Sequence, residues 1–243
     1  MLSEKPWKLD GLIRFVMCLV MSIAFMILLS GLVQHFTGAK PDDNSPALLI
    51  INSLALDGSI LFAVFIFLRL EHITWSEAFG IHARTFWRAL IWGVIVAVCF
   101  TWPGQEMNDL CARALQSFHF HPQNEQAVET LRHATPGFNR AYLVFFSIII
   151  APVAEETLFR GILYPAIKQN GFPRTALWGT SILFAAIHGN LPAFLPLTVL
   201  ALILAILYEK TNNLLSCIFA HSFFNVVGVV LVYYYNSRPQ PPY

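Results

Sequence analysis

Two adjacent acids, Glu155 and Glu156, stand inside an apolar stretch running from Tyr142 to Leu163, with Arg160 one helical turn further on. A carboxylate near the bilayer midplane costs about 2.5 kcal/mol or more, so ionisable groups within a span as a rule face a water-filled cavity and serve function. On a helix advancing roughly 100° per residue, Glu156 and Arg160 share a face while Glu155 points roughly 100° away from Glu156. The spacing therefore predicts a division of labour, in which Arg160 neutralises Glu156 in a buried pair and Glu155 is left as an unpaired base. Pro152, three residues before Glu155, has no backbone N–H to donate and is expected to kink the helix, opening carbonyls and room for water. Gly161 is expected to let a neighbouring helix approach closely.

Two further clusters follow on later apolar runs, Phe184-x-x-x-His188 and His221-x-x-x-Asn225. Water activation needs a base within hydrogen-bond reach, and a histidine opposite can orient the carboxylate or share the water, which makes His188 the candidate partner of Glu155. Attack on an amide carbonyl needs donors for the developing oxyanion, and His221 and Asn225, one turn apart on one helix face, can supply two. Phe184 reads as a packing residue. These groups suffice for hydrolysis within a membrane without a serine or cysteine nucleophile. Glu155, His188 and His221 also number enough donors for a catalytic zinc, but no His-Glu-x-x-His pair presents two ligands from one helix. The expectation is that no cofactor is required, with a divalent metal such as zinc as the alternative.

The elements that must position these residues are membrane helices. The chain has 243 residues, 56% hydrophobic and only 12% charged, with mean hydropathy +0.60, whereas soluble domains carry about 25% charge. Runs near the ~20 residues needed to cross hydrocarbon are Phe15–Val33, Ala47–Leu68, Phe86–Trp102, Ala141–Ile167, Thr175–His188, Leu191–Tyr208 and Leu214–Tyr235. The fifth is short and ends in His188-Gly-Asn-Leu-Pro192, so a half-helix or re-entrant turn is the alternative there. The expected fold is all-α, a polytopic transmembrane bundle of seven to eight helices, the eighth an amphipathic segment within 106–133. A polar stretch, 104–139, separates the first three spans from the rest, giving residues 1–139 as N-terminal helices plus a long loop and 140–243 as the catalytic core of one integral membrane domain.

The first run is too long for a signal-peptide core and lacks a small-residue cleavage site after it, so it reads as a retained span. Counting Lys and Arg, one side carries nine (Lys5, Lys8, Arg14, Arg69, Arg84, Arg88, Lys168, Arg174, Lys210) and the other five (Lys40, Arg113, Arg132, Arg140, Arg238). That bias predicts a cytoplasmic N-terminus, a loop 104–139 on the opposite side and, with seven spans, Tyr243 there as well. A net charge of +1 without a basic run argues against nucleic acid as a partner. Cys18, Cys99 and Cys217 lie in apolar runs and Cys111 stands alone, with no Cys-x-x-Cys, so they read as small hydrophobes rather than ligands or disulfides. His119 and His121 read as solvated loop residues. Asp57, alone in the second run, reads either as a relay or catalytic acid or as a cap at a helix break beside Gly58, and the cap is the reading preferred from sequence.

Glu-Glu-x-x-x-Arg, Phe-x-x-x-His and His-x-x-x-Asn, in that order on separate apolar helices, resemble the CPBP intramembrane proteases, which include type II CAAX prenyl endopeptidases and their bacteriocin-processing and Abi relatives. The resemblance covers about residues 140–235. It implies Glu155 as general base, His188 as its partner on the catalytic water, Glu156 and Arg160 as a structural or substrate-positioning pair, and His221 and Asn225 on the oxyanion side. It also implies a peptide or lipidated-protein substrate, of CAAX type or of leader and bacteriocin type, and a bacterial plasma membrane location. The family is often labelled metalloprotease, and a metal-free, glutamate-activated water is proposed for it too. Two other functions fit the polar residues: a proton-coupled carrier using Asp57, Glu155, Glu156 and His188, against which the lack of an inverted repeat weighs, and a non-catalytic immunity or scaffold protein. Oligomeric state is left open by the sequence.

Overall fold

A computed structural model of the chain describes residues 2–38, 45–120 and 126–236; Lys40, His121, Arg238 and Tyr243 lie outside the described residues. Among these residues there are helices and no strands. In chain order they are α1 (Leu9–Thr37), α2 (Pro46–Leu70), α3 (Trp75–Phe79), α4 (Phe86–Ser117), α5 (Gln126–His133), α6 (Phe138–Gln169), α7 (Pro173–Ile187), α8 (Leu191–Thr211) and α9 (Leu214–Asn236).

Six helical stretches are long and apolar enough to cross a membrane: α1, α2, the stretch Trp75–Ser117 that contains α4, and α6, α8 and α9. The protein is therefore an integral membrane protein of all-α architecture. The seven-span expectation is corrected at α7, whose 15 residues rise only about 22 Å, short of the ~30 Å hydrocarbon core. A second correction concerns the polar stretch. Rather than ending near Trp102, α4 continues through Pro103 to Ser117, and the Gln105 side chain donates to Asp109 at 3.1 Å on the helix where a loop was expected. The amphipathic segment reduces to the eight residues of α5. The third correction is Asp57, which sits inside an unbroken α2 and so caps nothing.

Helix ends sort onto two faces of the bundle. Leu2 N–H donates to Glu209 at 3.2 Å, the Ser3 hydroxyl and Lys5 Nζ donate to Asn212 Oδ1 at 3.0 and 3.3 Å, and Gln169 donates to the Lys5 carbonyl at 3.2 Å. Lys168 pairs with Glu209. Asn213 donates to Thr85 at 2.9 Å, and Arg14 reaches Glu71 at 2.5 Å. The N-terminal segment and the turns at 71–85, 170–172 and 212–213 therefore share one end of the bundle, the end to which the nine-residue Lys and Arg group belongs. Burial of the Lys5 ammonium there pushes its pKa down to about 8.

Close helix packing relies on glycine where backbones meet. A Cβ on Gly93 would lie 2.6 Å from Phe219 Cβ and 3.0 Å from the Ser216 carbonyl, so α4 and α9 touch there. A Cβ on Gly161 would lie 2.7 Å from the Phe79 ring, which lets α3 seat that ring against α6. Short α3 is fixed by a capping box, with Thr74 N–H donating to the Glu77 carboxylate at 2.8 Å and Glu77 N–H donating to the Thr74 hydroxyl at 3.3 Å. The arrangement of ends is testable by labelling single cysteines in a cysteine-free background with a membrane-impermeant maleimide. Ser76→Cys and Asn170→Cys should react from the same side, and Phe118→Cys only from the other; labelling of 76 and 170 from opposite sides would refute it.

Candidate active site

Helix α6 carries Glu155 and Glu156 between two stretches of wider π winding, Phe146–Ile150 and Thr157–Leu163. Such bulges disturb the hydrogen-bond ladder and recur at functional sites. The first has an identifiable cause. Ala151 N–H donates to the Phe146 carbonyl in the wide register, and the next donor in that register would be residue 152, a proline with no N–H. The Ser147 carbonyl is instead satisfied from α9, where Asn225 Nδ2 donates to it at 2.8 Å.

Below this defect lies a buried polar hub. Glu156 is 0% and Arg160 2% exposed. Glu156 Oε1 accepts from Arg160 Nη1 at 2.8 Å and pairs with His221 Nδ1 at 2.9 Å. A second guanidinium nitrogen, Nη2, donates to the Ala201 carbonyl of α8 at 3.2 Å. The flat cation also lies 4.6 Å from the Phe184 ring centroid, an aromatic cation contact worth about 2 kcal/mol when desolvated. One arginine thus ties α6 to α7 and α8, and its carboxylate partner reaches α9.

Glu155 faces the other way, as its angular offset predicts. Its Oε2 lies 3.9 Å from His188 Nε2 and 3.9 Å from His221 Nε2, and that oxygen has no hydrogen-bond partner. The two side chains Glu155 and His188 keep 16% and 14% exposure, so this side of α6 is less tightly enclosed than the Glu156 side, although Oε2 itself is buried. His188 follows α7 directly as its C-cap. Its Nδ1 pairs with the Phe184 carbonyl at 2.8 Å, which can only accept, so Nδ1 carries the proton and Nε2 turns to Glu155. The Phe-x-x-x-His spacing is explained by that bond, and Phe184 itself is wedged against Phe159, His188 and His221. Gly189, at φ +63, and Asn190, whose side chain caps α8 at Ala193 N–H with a 2.9 Å bond, reverse the chain there, which leaves His188 within the bundle rather than at its surface.

The structure brings Glu155, His188 and His221 together, and places His221 between the two glutamates, touching both. Asn225 lies on the same helix but spends one amide N–H on Ser147. Glu156 and Arg160 form the expected pair. Not foreseen in the sequence were the acceptor carbonyls of Ser147 and Ala201, which no side-chain pattern encodes, and the position of Asp57. That residue is 8% exposed, its Oδ1 has no hydrogen-bond partner, and it interacts electrostatically with both His188 and Glu155. A lone acid in an apolar run was the available signal.

A hydrogen bond of about 2.8 Å to each group lets one water span the 3.9 Å between Glu155 Oε2 and either imidazole nitrogen. A tetrahedral zinc, with donor distances of about 2.0–2.1 Å, sets its donor atoms roughly 3.4 Å apart. Both separations are wider, and among the described residues no group of three His, Cys, Asp or Glu is arranged to hold a metal. As arranged, these residues do not fit such an ion.

Residues 137–227 match the family model described as "Type II CAAX prenyl endopeptidase Rce1-like". This segment resembles that family. It takes in every residue of the hub and of the Glu155 cluster, whereas Asp57 lies outside it. The chain is 30% identical over 111 residues to "Putative membrane peptidase YdiL" of Bacillus subtilis, a match covering 45% of this chain and 43% of that protein. It is 33% identical over 81 residues to "UPF0177 protein YxdF" of Lactococcus lactis, covering 33% and 44%, and 33% identical over 101 residues to "Uncharacterized protein YpbD" of Bacillus subtilis, covering 40% and 49%. The chain spans less than half the length of these curated relatives. No solved structure matches it.

The two polar assemblies predict different mutant phenotypes. Glu156→Gln strands Arg160 in a sealed interior, at a cost of about 3–5 kcal/mol for a broken buried pair, and should sharply reduce the yield of folded protein. Asn225→Leu leaves the Ser147 carbonyl without a donor, a loss of about 1–3 kcal/mol, and should lower the unfolding midpoint in detergent by less. An unfolding midpoint for Glu156→Gln equal to wild type would overturn the hub as the source of stability.

Proposed function

We propose that the protein is an intramembrane endopeptidase in which Glu155 activates a water molecule for attack on a peptide carbonyl. The observation that carries this reading is the buried, unpartnered Glu155 Oε2 at 3.9 Å from both imidazole Nε2 atoms. Glu155 takes the proton of a water that it shares with His188. His221, held by Glu156 through Nδ1, turns Nε2 to Glu155, and when protonated donates from there to the oxyanion. Asn225 has a second amide N–H for the same charge. Donors fixed in advance in a low-dielectric site stabilise such a charge more strongly than water does, because they need no reorganisation. Glu156 and Arg160 act as the frame that fixes His221. No metal has a part in this scheme.

The family of the domain favours a substrate cut close to the membrane, either a prenylated CAAX-type C-terminus or a leader or bacteriocin-type precursor. The sources of the relatives, Bacillus and Lactococcus, favour a bacterial plasma membrane, and the Lys and Arg bias favours a cytoplasmic N-terminal face.

The test is cleavage by the full chain reconstituted in liposomes, with a farnesylated CAAX peptide in one series and a leader peptide in the other. Glu155→Gln keeps the shape and removes the base, and should cut turnover by at least about 100-fold at wild-type yield. 1,10-Phenanthroline should leave the wild-type rate unchanged. Cleavage of neither peptide by wild-type protein, or full activity in Glu155→Gln, would leave the scaffold reading in its place; inhibition by the chelator would return the metal to the scheme.

A further inference from the structure

The mechanism above uses four charged or polar side chains of the C-terminal half and leaves one buried acid of the N-terminal half unexplained. Asp57 lies in the middle of α2, a helix long and apolar enough to span the membrane. It is 8% exposed, and a carboxylate in that position is costly unless something compensates it. No protein hydrogen bond reaches its Oδ1. Helix α2 packs against the Ala151–Glu156 turn of α6, and the two helices are locked in register by Ser53, whose hydroxyl meets Tyr142 Oη at 2.5 Å. Asp57 is one turn on from Ser53 and so on the same face.

The titratable side chains with which Asp57 interacts include His188 and Glu155; Glu156 Oε1 is taken up by Arg160 in the sealed hub. His188 Nε2 faces Glu155 at 3.9 Å, and Asp57, on another helix, is a second acid within electrostatic reach of it. Its Nδ1 proton is committed to the Phe184 carbonyl, so any proton it gains must sit on Nε2 and make the ring cationic. A buried imidazolium needs a counter-charge.

Resting on the protease reading, we propose that Asp57 is a positioning residue for this site, a carboxylate supplied by the N-terminal half that stabilises His188 as an imidazolium during proton transfer. The attacking water forms the new C–O bond and gives its proton to Glu155. Glu155 passes that proton through water to His188 Nε2, and the imidazolium so formed delivers it to the leaving nitrogen as the C–N bond breaks, so the cycle closes with no net proton change at the site. Asp57 touches neither substrate nor water; it acts on the energy of the charged ring.

Three variants of the full chain in liposomes test this, with the peptide that wild type cleaves. Asp57→Asn keeps size and removes the charge; kcat should fall about 10- to 100-fold with KM unchanged, at wild-type yield and unfolding midpoint. Asp57→Glu, which restores the charge, should recover most of the rate. Asp57→Leu should fold at least as well as wild type and be as slow as Asp57→Asn. Wild-type kcat in Asp57→Asn would overturn the inference while leaving the protease reading intact, and so would a fall in yield or unfolding midpoint with kcat unchanged per folded molecule. Inactive wild-type protein fails the protease reading itself, and the inference with it.

Discussion

A guanidinium cannot be left unpaired in a membrane interior, and the C-terminal half of this protein is arranged around that constraint. Arg160 is sealed from solvent, so its donors must all find acceptors nearby. The carboxylate of Glu156, the Ala201 carbonyl and the face of Phe184 are what the fold provides, and they come from α6, α8 and α7. Because Glu156 also holds His221 on α9, satisfying one cation fixes four helices relative to one another. The charged cluster is what allows a second glutamate, one residue away, to be left unsatisfied without the helix packing giving way.

That second glutamate depends on a break in regularity as well. A helix with every backbone bond in place offers the lipid interior no polar surface and no reason to admit water. Pro152 removes one donor, the winding widens before it, and Asn225 takes up the freed Ser147 carbonyl from the facing helix. The defect is thus repaired from outside rather than by the helix itself, which anchors α9 beside the glutamates and keeps the local geometry from relaxing to a regular helix.

Much of this was legible in the sequence because it follows from helical angles. The offset between Glu155 and Glu156, the i, i+4 pairing with Arg160 and the wedge role of Phe184 need only a helix in a membrane. The helix ends were less legible. Hydropathy sees the polar composition after Trp102 but not that α4 can continue into it, since a helix that leaves the bilayer may be polar without unfolding. Asp57 was misread as a cap because local patterns cannot report what packs against a face, and only the approach of α2 to α6 shows which acid and which histidine it meets. The partner of Asn225 was hidden for another reason. A backbone carbonyl has no sequence signature, and this one is freed by a proline five positions away.

The shortness of α7 has a consequence for the lipid around it. Its outer surface, with Trp178, Ile182, Leu183 and Ile187 exposed, offers an apolar length of about 22 Å to acyl chains that fill about 30 Å elsewhere. A bilayer meets such mismatch by thinning locally, at a cost of fractions of a kcal/mol per Å. Such thinning would bring headgroups and their water toward the turn at Gly189 and Asn190, next to His188. On the protease reading, a substrate anchored at the membrane surface would need little descent into hydrocarbon to reach Glu155 from this flank.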